Sequence, residues 1–95
     1  MELLLHHTHH EREKLKARLA RIRGQVDGVG RALDEDRDCG EVLQQVAAIR
    51  GAVAGLMAEL LEGHVREHVA GERIPAAERQ RAADELVEVI KRYLR

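Results

Sequence analysis

The sequence predicts an all-α protein, and two observations favour this fold class. The 95 residues include one Tyr and no Trp or Phe, so the core has to be built from small and aliphatic side chains, which suits helix-on-helix packing. Apolar residues also recur at steps of four and three along two long stretches, the spacing of amphipathic helices. Because so short a chain buries little apolar surface alone, we expect a three-helix protomer with a long central helix that folds as an obligate oligomer.

The first predicted helix runs through a seam of apolar residues spaced for lengthwise packing against a partner helix. The seam consists of Leu15, Leu19, Ile22, Val26, Val29 and Leu33. The acidic stretch 34–38 that follows predicts a loop. We expect residues 1–11 to form a flexible histidine-rich segment and residues 12–95 to form a single domain.

The second predicted helix begins at Cys39, where Asp38 can cap it and Glu41 stands at the acidic position of a capping box. Its seam repeats the same spacing in Val42, Val46, Ile49, Val53, Leu56 and Leu60. The pattern continues to about Val69. Some 30 residues at about 1.5 Å each give roughly 45 Å, too long for a compact monomer of this size. Gly71 is expected to end the helix.

A third helix is predicted to start at Pro75, which fits a first helical turn. Its apolar side consists of Leu86, Val87, Val89, Ile90, Tyr93 and Leu94. No apolar run approaches the roughly 18 residues needed to cross a bilayer, and the first residues lack the basic start of a signal peptide. The single cysteine excludes a disulfide scaffold. We therefore expect a cytoplasmic protein with no membrane partner.

Charge is distributed unevenly along the chain, although the net charge is only −1. Residues 1–24 carry six basic and three acidic side chains, a balance of +3, which leaves −4 for the remainder. A basic segment on a mildly acidic body indicates a polyanionic partner. A solvated helix face would account for the same charges equally well.

Six histidines are a high number for this length, and two of them have a spacing that suits a metal ion. His64 and His68 are four residues apart, so one helix face would present both imidazoles, and Glu67 could add an oxygen ligand. Two half-exposed histidines favoured by the helix dipole are the alternative. The remaining four could belong to a flexible tail; they are His6, His7, His9 and His10.

Cys39 is expected at a helix N-terminus, where unpaired N–H groups and the helix dipole favour the thiolate. A lone cysteine is more often a small buried apolar residue. Within one chain Cys39 and His64 would lie about 37 Å apart, too far to share a metal ion. If two such helices pack antiparallel in a dimer, Cys39 of one protomer approaches His64 and His68 of the other, and the ligand set exists only in the oligomer.

Several sequence runs resemble the CsoR/RcnR/FrmR family of bacterial repressors. The run 43–52 (LQQVAAIRGA), followed by 55–57 (GLM) and His64, resembles the second helix of that family. The runs 14–18 (KLKAR) and 23–25 (RGQ) resemble its first helix. The similarity extends over roughly residues 12–95.

The resemblance implies antiparallel dimers with a four-helix-bundle core that pair into tetramers, bind double-stranded operator DNA and release it when an inducer binds. By the family pattern the metal ligands are His7, Cys39, His64 and His68, with the thiolate supplied across the dimer. His6, His9 or His10 could replace His7. One thiolate with three imidazoles matches the RcnR-like pattern and suits Ni(II) or Co(II), while Zn(II) would also bind in vitro. The extra histidine that RcnR-like proteins carry after the second helix aligns with Gly71, which leaves four- and six-coordinate geometries both open.

The resemblance also implies a DNA-binding surface, and it leaves other functions to be distinguished. The family's contact positions match Arg18, Arg21 and Arg50, with Lys14, Gln44 and Gln45 nearby; an ion-paired or buried Arg50 is the alternative. Phosphate contacts predict strong salt dependence, and the lack of a reading helix predicts recognition of DNA shape. A formaldehyde-responsive repressor and a histidine-rich metal-storage protein are the other functions considered. No nucleophile and base combination suggests an enzyme.

Overall fold

The computed structural model describes residues 9–94 and shows three α-helices, which confirms the predicted fold class. α1 spans His9–Asp34, α2 spans Cys39–His64 and α3 spans Ala76–Tyr93. A π-helical turn, Val65–Val69, continues directly from α2, so the helical path ends within a residue or two of the predicted end. Residues 9–94 contain no strand, and none of their helices is long and apolar enough to span a membrane.

The described chain divides into two compact units. The hairpin unit, residues 9–57, contains α1 and most of α2, and the C-terminal unit, residues 58–94, contains the end of α2, the π turn and α3. α1 begins three residues before the predicted domain boundary at residue 12. The division into segment 1–11 and domain 12–95 stays a prediction.

The hairpin is closed by the four-residue connection 35–38. Arg37 N donates to Ala32 O at 2.9 Å, and Asp36 adopts a left-handed φ of 54°, a conformation that Asp tolerates better than most residues. Gly40 N donates to Asp38 Oδ2 at 3.1 Å, which confirms the predicted cap. The reciprocal half of a capping box is absent from these contacts, because the Glu41 carboxylate accepts hydrogen bonds from Arg37 instead.

The apolar seams of α1 and α2 divide into two rows that differ in exposure. The inner row is half-buried and consists of Leu15, Ile22, Val29, Val42, Ile49 and Leu56. The outer row is 38% to 61% exposed and consists of Leu19, Val26, Leu33, Val46, Val53 and Leu60. Members of each row are seven residues apart within a helix, so each row follows one side of its helix. Within the protomer the inner row of the predicted seam is therefore partly buried, whereas the outer row remains exposed to solvent.

The C-terminal unit has a short internal packing of its own. α3 packs against the π turn, and Ala82 of α3 is fully buried. Pro75 is the N-cap residue of α3 and so precedes the first turn rather than lying within it. Arg79 donates to Gly71 O at 3.3 Å and to Ile74 O at 3.4 Å, which ties α3 to the connection before it. Ala32, Ala82 and His68 are the buried side chains of the described part of the chain.

Candidate functional site

His64 and His68, the two histidines predicted as a ligand pair, lie next to each other at the end of the second helical stretch. His64 is the last residue of α2, and His68 lies in the π turn. Their ring centroids are 5.4 Å apart and the ring planes are inclined by 64°. His68 is buried, with 6% of its surface exposed, whereas His64 is half-buried. The structure therefore brings the predicted pair together, but in a π-helical turn instead of on a regular α-helical face.

The π turn is defined by the hydrogen bond from Ala70 N to Val65 O, at 2.7 Å. A turn with one extra residue is uncommon and occurs often at functional sites. Here it lies against α3, and His68 is its buried side chain. The packing against α3 accounts for the burial of a polar ring that a free helix end would leave in water.

His64 is held by α3 through one ring nitrogen. Its Nε2 lies 2.8 Å from the carbonyl oxygen of Ala82. Because a carbonyl oxygen only accepts, Nε2 carries the hydrogen, and the lone pair of the neutral ring is then on Nδ1. Histidines that bind metals usually donate the other ring N–H to a carbonyl or carboxylate, which fixes the ring and its tautomer. The bond to Ala82 gives His64 this arrangement and leaves Nδ1 as the nitrogen available to a metal ion.

Two further residues limit what can join the histidine pair. Glu67 is half-buried, and its Oε1 lies 4.0 Å from Nε2 of His68. At Gly71 a Cβ would lie 3.2 Å from the backbone oxygens of both Arg66 and Glu67. A side chain at position 71 would therefore require the π turn to shift by a few tenths of an ångström, so the connection in this form favours glycine over the extra histidine of RcnR-like proteins.

Cys39 is exposed and is the first residue of α2, while His64 is the last, as the sequence predicts. Arg37 encloses the start of the helix by pairing with Glu41 (Nε to Oε1, 3.3 Å) and with Glu35 (Nη1 to Oε1, 3.2 Å). The hydrogen bond from Arg37 lowers the pKa of the Glu41 carboxyl, and the same bond raises the pKa of Arg37. These contacts fix the connection that precedes the thiol.

The rest of the predicted ligand set lies outside the described contacts. His6 and His7 lie outside residues 9–94, and His9 and His10 are the first two residues of α1. Among the described residues of one chain, no three His, Cys, Asp or Glu side chains lie close enough to hold a metal ion. The assembly of His7, Cys39, His64 and His68 into one site stays a prediction.

The residues predicted to contact DNA differ in exposure. Lys14, Arg21, Gln44 and Arg50 are exposed, so the alternative of a buried Arg50 does not apply within the protomer. Arg18 and Gln45 are half-buried. The described contacts give the Oε1 of Gln45, which is shielded from solvent, no hydrogen-bond partner. Arg18 of α1 lies against Gly55 of α2, far from the connection, so the two helices run antiparallel.

Comparison with known proteins defines the class to which this arrangement belongs. The family model of metal-sensitive transcriptional repressors matches residues 11–92. The transcriptional repressor RcnR of Salmonella typhimurium is 44% identical over 89 residues, which cover 94% of this chain and 98% of RcnR. The chain therefore belongs to the CsoR/RcnR/FrmR family of metal-sensitive transcriptional repressors, which bind operator DNA and are not enzymes.

Two solved structures share the fold. A variant of the formaldehyde-responsive regulator FrmR from Salmonella enterica serovar Typhimurium matches with a TM-score of 0.86 and 34% identity, over 93% of this chain and 99% of FrmR. The copper-sensing repressor CsoR with Cu(I) from Geobacillus thermodenitrificans matches with a TM-score of 0.85 and 34% identity, over 95% of this chain and 93% of CsoR.

The sequence did not identify Ala82 as part of the site. Ala82 acts through its backbone carbonyl, and no side-chain pattern reports which carbonyl of α3 meets His64. Gly71 was expected to end the helix and to align with the extra histidine of RcnR-like proteins, but its close approach to the π turn was not predicted.

Proposed function

We propose that this chain is a nickel- or cobalt-responsive repressor, whose metal-free tetramer occupies the operator of a metal-exporter gene in the cytoplasm and releases it when Ni(II) or Co(II) binds. The observation that carries this proposal is the His64–His68 pair, with Nε2 of His64 bonded to Ala82 O. A histidine that only stabilised a helix end would not need its tautomer fixed by a second helix.

The donor chemistry of the chain favours Ni(II) or Co(II). The sequence has one cysteine, so a dimer with two equivalent sites supplies one thiolate to each site. Cu(I) prefers several soft thiolate or thioether ligands, whereas imidazoles suit Ni(II), Co(II) and Zn(II). We assign His7, Cys39, His64 and His68 as ligands, with Glu67 as an additional oxygen donor. His6, His9 and His10 are alternatives to His7, and Zn(II) is expected to bind in vitro.

The open outer row supports the assembly that this ligand set requires. Apolar side chains on one side of a helical hairpin need a partner surface, and a second hairpin with the same row provides one. A pair of such hairpins forms a four-helix bundle. If the two α2 helices run antiparallel, Cys39 at the start of one lies near His64 at the end of the other. Two such dimers then form the tetramer.

The DNA-binding surface is assigned to the exposed basic residues of the hairpin unit. The exposed members are Lys14, Arg21, Gln44 and Arg50, and the half-buried members are Arg18 and Gln45. Four copies in a tetramer multiply the attraction to phosphates while the net charge per chain stays at −1. Without a recognition helix in a groove, we expect specificity to come from DNA shape.

Metal binding can change the position of the DNA-binding residues through the start of α1. α1 begins at His9, directly after the segment that contains His6 and His7, and it carries Arg18 and Arg21. A metal ion that ties this segment to α2 and to a partner's thiolate favours one position of α1 over others. Allosteric coupling is commonly about 1–3 kcal/mol, which would lower operator affinity roughly 5- to 150-fold.

A metal titration at fixed salt tests the proposal. We expect Ni(II) or Co(II) to release a duplex that the wild-type protein has selected from a randomised pool. The absorption spectrum of the loaded protein should show a thiolate band that Cys39→Ala removes. His68→Gln should abolish metal-driven release, whereas Arg66→Gln, an exposed change in the same π turn, should leave it intact. Unchanged DNA affinity with stoichiometric metal bound would refute the switch.

A formaldehyde-responsive repressor is the second candidate, and the exposed Cys39 at the start of α2 favours it. Family members of that kind use an N-terminal Pro amine beside the cysteine, whereas Glu2 follows Met1 here. Release of the selected duplex by formaldehyde in the presence of a chelator, with no response to Ni(II) or Co(II), would favour this function over the first.

A further inference from the structure

The guanidinium of Arg18 lies directly over a glycine of the neighbouring helix. A Cβ built on Gly55 would be 2.9 Å from Nη1 of Arg18 and 3.8 Å from its Cζ. A real Cβ does not approach another atom so closely, so any side chain at position 55 would displace the guanidinium. Arg18 is half-buried in this position, in contrast to the exposed Arg21 and Arg50.

Three other glycines of the two helices have open space where Gly55 has the guanidinium. Gly24 and Gly30 in α1 and Gly51 in α2 have nothing within 4 Å of the position of a Cβ. Glycine lowers helix stability relative to alanine wherever it occurs inside a helix. Of these four glycines, Gly55 is the one that lies against a charged group from the opposite helix. The lack of a side chain at Gly55 leaves the space that this guanidinium occupies.

We propose that Gly55 is a positioning residue for operator binding. Because Gly55 has no Cβ, the Arg18 guanidinium of α1 can pack against its backbone in α2 and is held there in one orientation. This inference rests on the proposed function, in which Arg18 contacts DNA. A guanidinium has five N–H donors at its edge, so a group whose Nη1 end rests against Gly55 can still direct its other N–H donors to a phosphate. Arginine loses considerable rotamer freedom when it binds, and a side chain ordered beforehand loses less.

Replacement of Gly55 by alanine separates this role from a structural one. The atom that a new Cβ would meet is the flexible end of a side chain, so the guanidinium moves while the helices stay in place. Alanine also raises helix propensity. We expect Gly55→Ala to melt at the same or a higher temperature than the wild type, yet to bind DNA about 3- to 10-fold more weakly. The matched control is Gly51→Ala, in the same helix with open space, which should gain stability without losing DNA affinity.

The experiment measures binding of the metal-free, full-length protein to a duplex that the wild type has selected from a randomised pool, over a range of salt concentrations. Gly55→Ala should reduce the slope of log affinity against log salt, because fewer counterions are released when a phosphate contact is lost. In the Arg18→Ala background, Gly55→Ala should cause no further loss, since the two changes act on one contact.

Three results would overturn the inference. If Gly55→Ala binds with wild-type affinity and salt slope, the packing of Arg18 against Gly55 has no role in DNA binding and the proposed function stands. If Gly55→Ala still weakens binding in the Arg18→Ala background, it acts through another group. If the wild type selects no duplex from the pool, both the proposed function and this inference fail.

Discussion

The two units of the molecule differ in how much of their proposed binding site is already formed within one protomer. Among residues 11–57 of the hairpin unit the buried side chain is Ala32, and the outer-row residues of this unit, such as Val26 and Val53, are about half exposed. In the C-terminal unit Ala82 and His68 are buried, and His64 has its hydrogen-bond partner within the same protomer, although the apolar side of α3 is also exposed at Val87, Tyr93 and Leu94. The C-terminal unit thus carries a preformed pair of nitrogen ligands, whereas the hairpin unit carries surfaces that need a partner.

This difference indicates how the proposed functions are divided. The imidazoles that would recognise the metal are fixed by local packing, so their geometry should not depend on assembly. The thiolate and the basic residues belong to the unit whose packing is incomplete, so their arrangement should depend on the oligomer. A repressor that responds to metal would need a preformed set of ligands and an oligomer whose arrangement can change. Metal binding at the fixed imidazoles could then alter the position of the basic residues in the oligomer.

The largest effect is expected from a charge in the outer row. Val53 is 45% exposed in the protomer, where Glu would cost little, but a second hairpin would bury it. A buried unpaired carboxylate costs several kcal/mol, so Val53→Glu should dissociate the oligomer and lower the melting temperature sharply. Sedimentation equilibrium and circular dichroism measure the two effects.

Ala48→Glu is the control for this substitution, since Ala48 is exposed on the same helix and belongs to neither row. It should remain assembled. A Val53→Glu protein with wild-type mass and stability would show that the hairpin is complete as a monomer, which would remove the contrast between the two units.

An intermediate effect is expected from Gly71→Ala in the C-terminal unit. The new Cβ would meet two backbone oxygens of the π turn at 3.2 Å, and backbone cannot move aside as a flexible side chain can. We expect a loss of about 1–3 kcal/mol in the free energy of unfolding, measured by chemical denaturation, together with weaker Ni(II) binding.

Gly30→Ala, which has open space on α1, should instead stabilise the protein by up to about 1 kcal/mol. Equal effects of the two substitutions would mean that the connection after the π turn adapts freely and does not hold the histidine pair in place.

The sequence predicted the helices and the connection well because these depend on local signals. The start of α2 at Cys39 and the cap at Asp38 follow from side-chain chemistry within a few residues, and α1 ends at Asp34, one residue into the predicted loop 34–38. The family also follows from the sequence, through the runs in the first two helices. The partner of Glu41 was missed because Arg37, four residues away, competes with the backbone N–H of a capping box.

The details of the site could not be predicted because they depend on contacts between distant residues. The spacing of His64 and His68 indicated a shared helix face, but the π turn and the burial of His68 depend on how α3 packs. The half-burial of Arg18 depends on Gly55, 37 positions further along the chain. In the sequence Gly55 stands out only as the first residue of the run 55–57, which resembles the second helix of the family.

The smallest effect is expected from the exposed pair at the start of α2, which belongs to the incomplete hairpin unit. Arg37 lowers the pKa of Glu41 below its usual value of 4.5 in the folded protein, so the pair adds stability above that value and loses it as the pH falls through the folded pKa. Glu41→Gln should flatten the fall in melting temperature below about pH 4.5, and Arg37→Gln should do the same because the shift arises from their hydrogen bond. Both side chains are solvated, so the change should be slight and reduced by salt. If the melting temperature falls in the same way at low pH in the wild type and both variants, the Arg37–Glu41 pair does not contribute to stability.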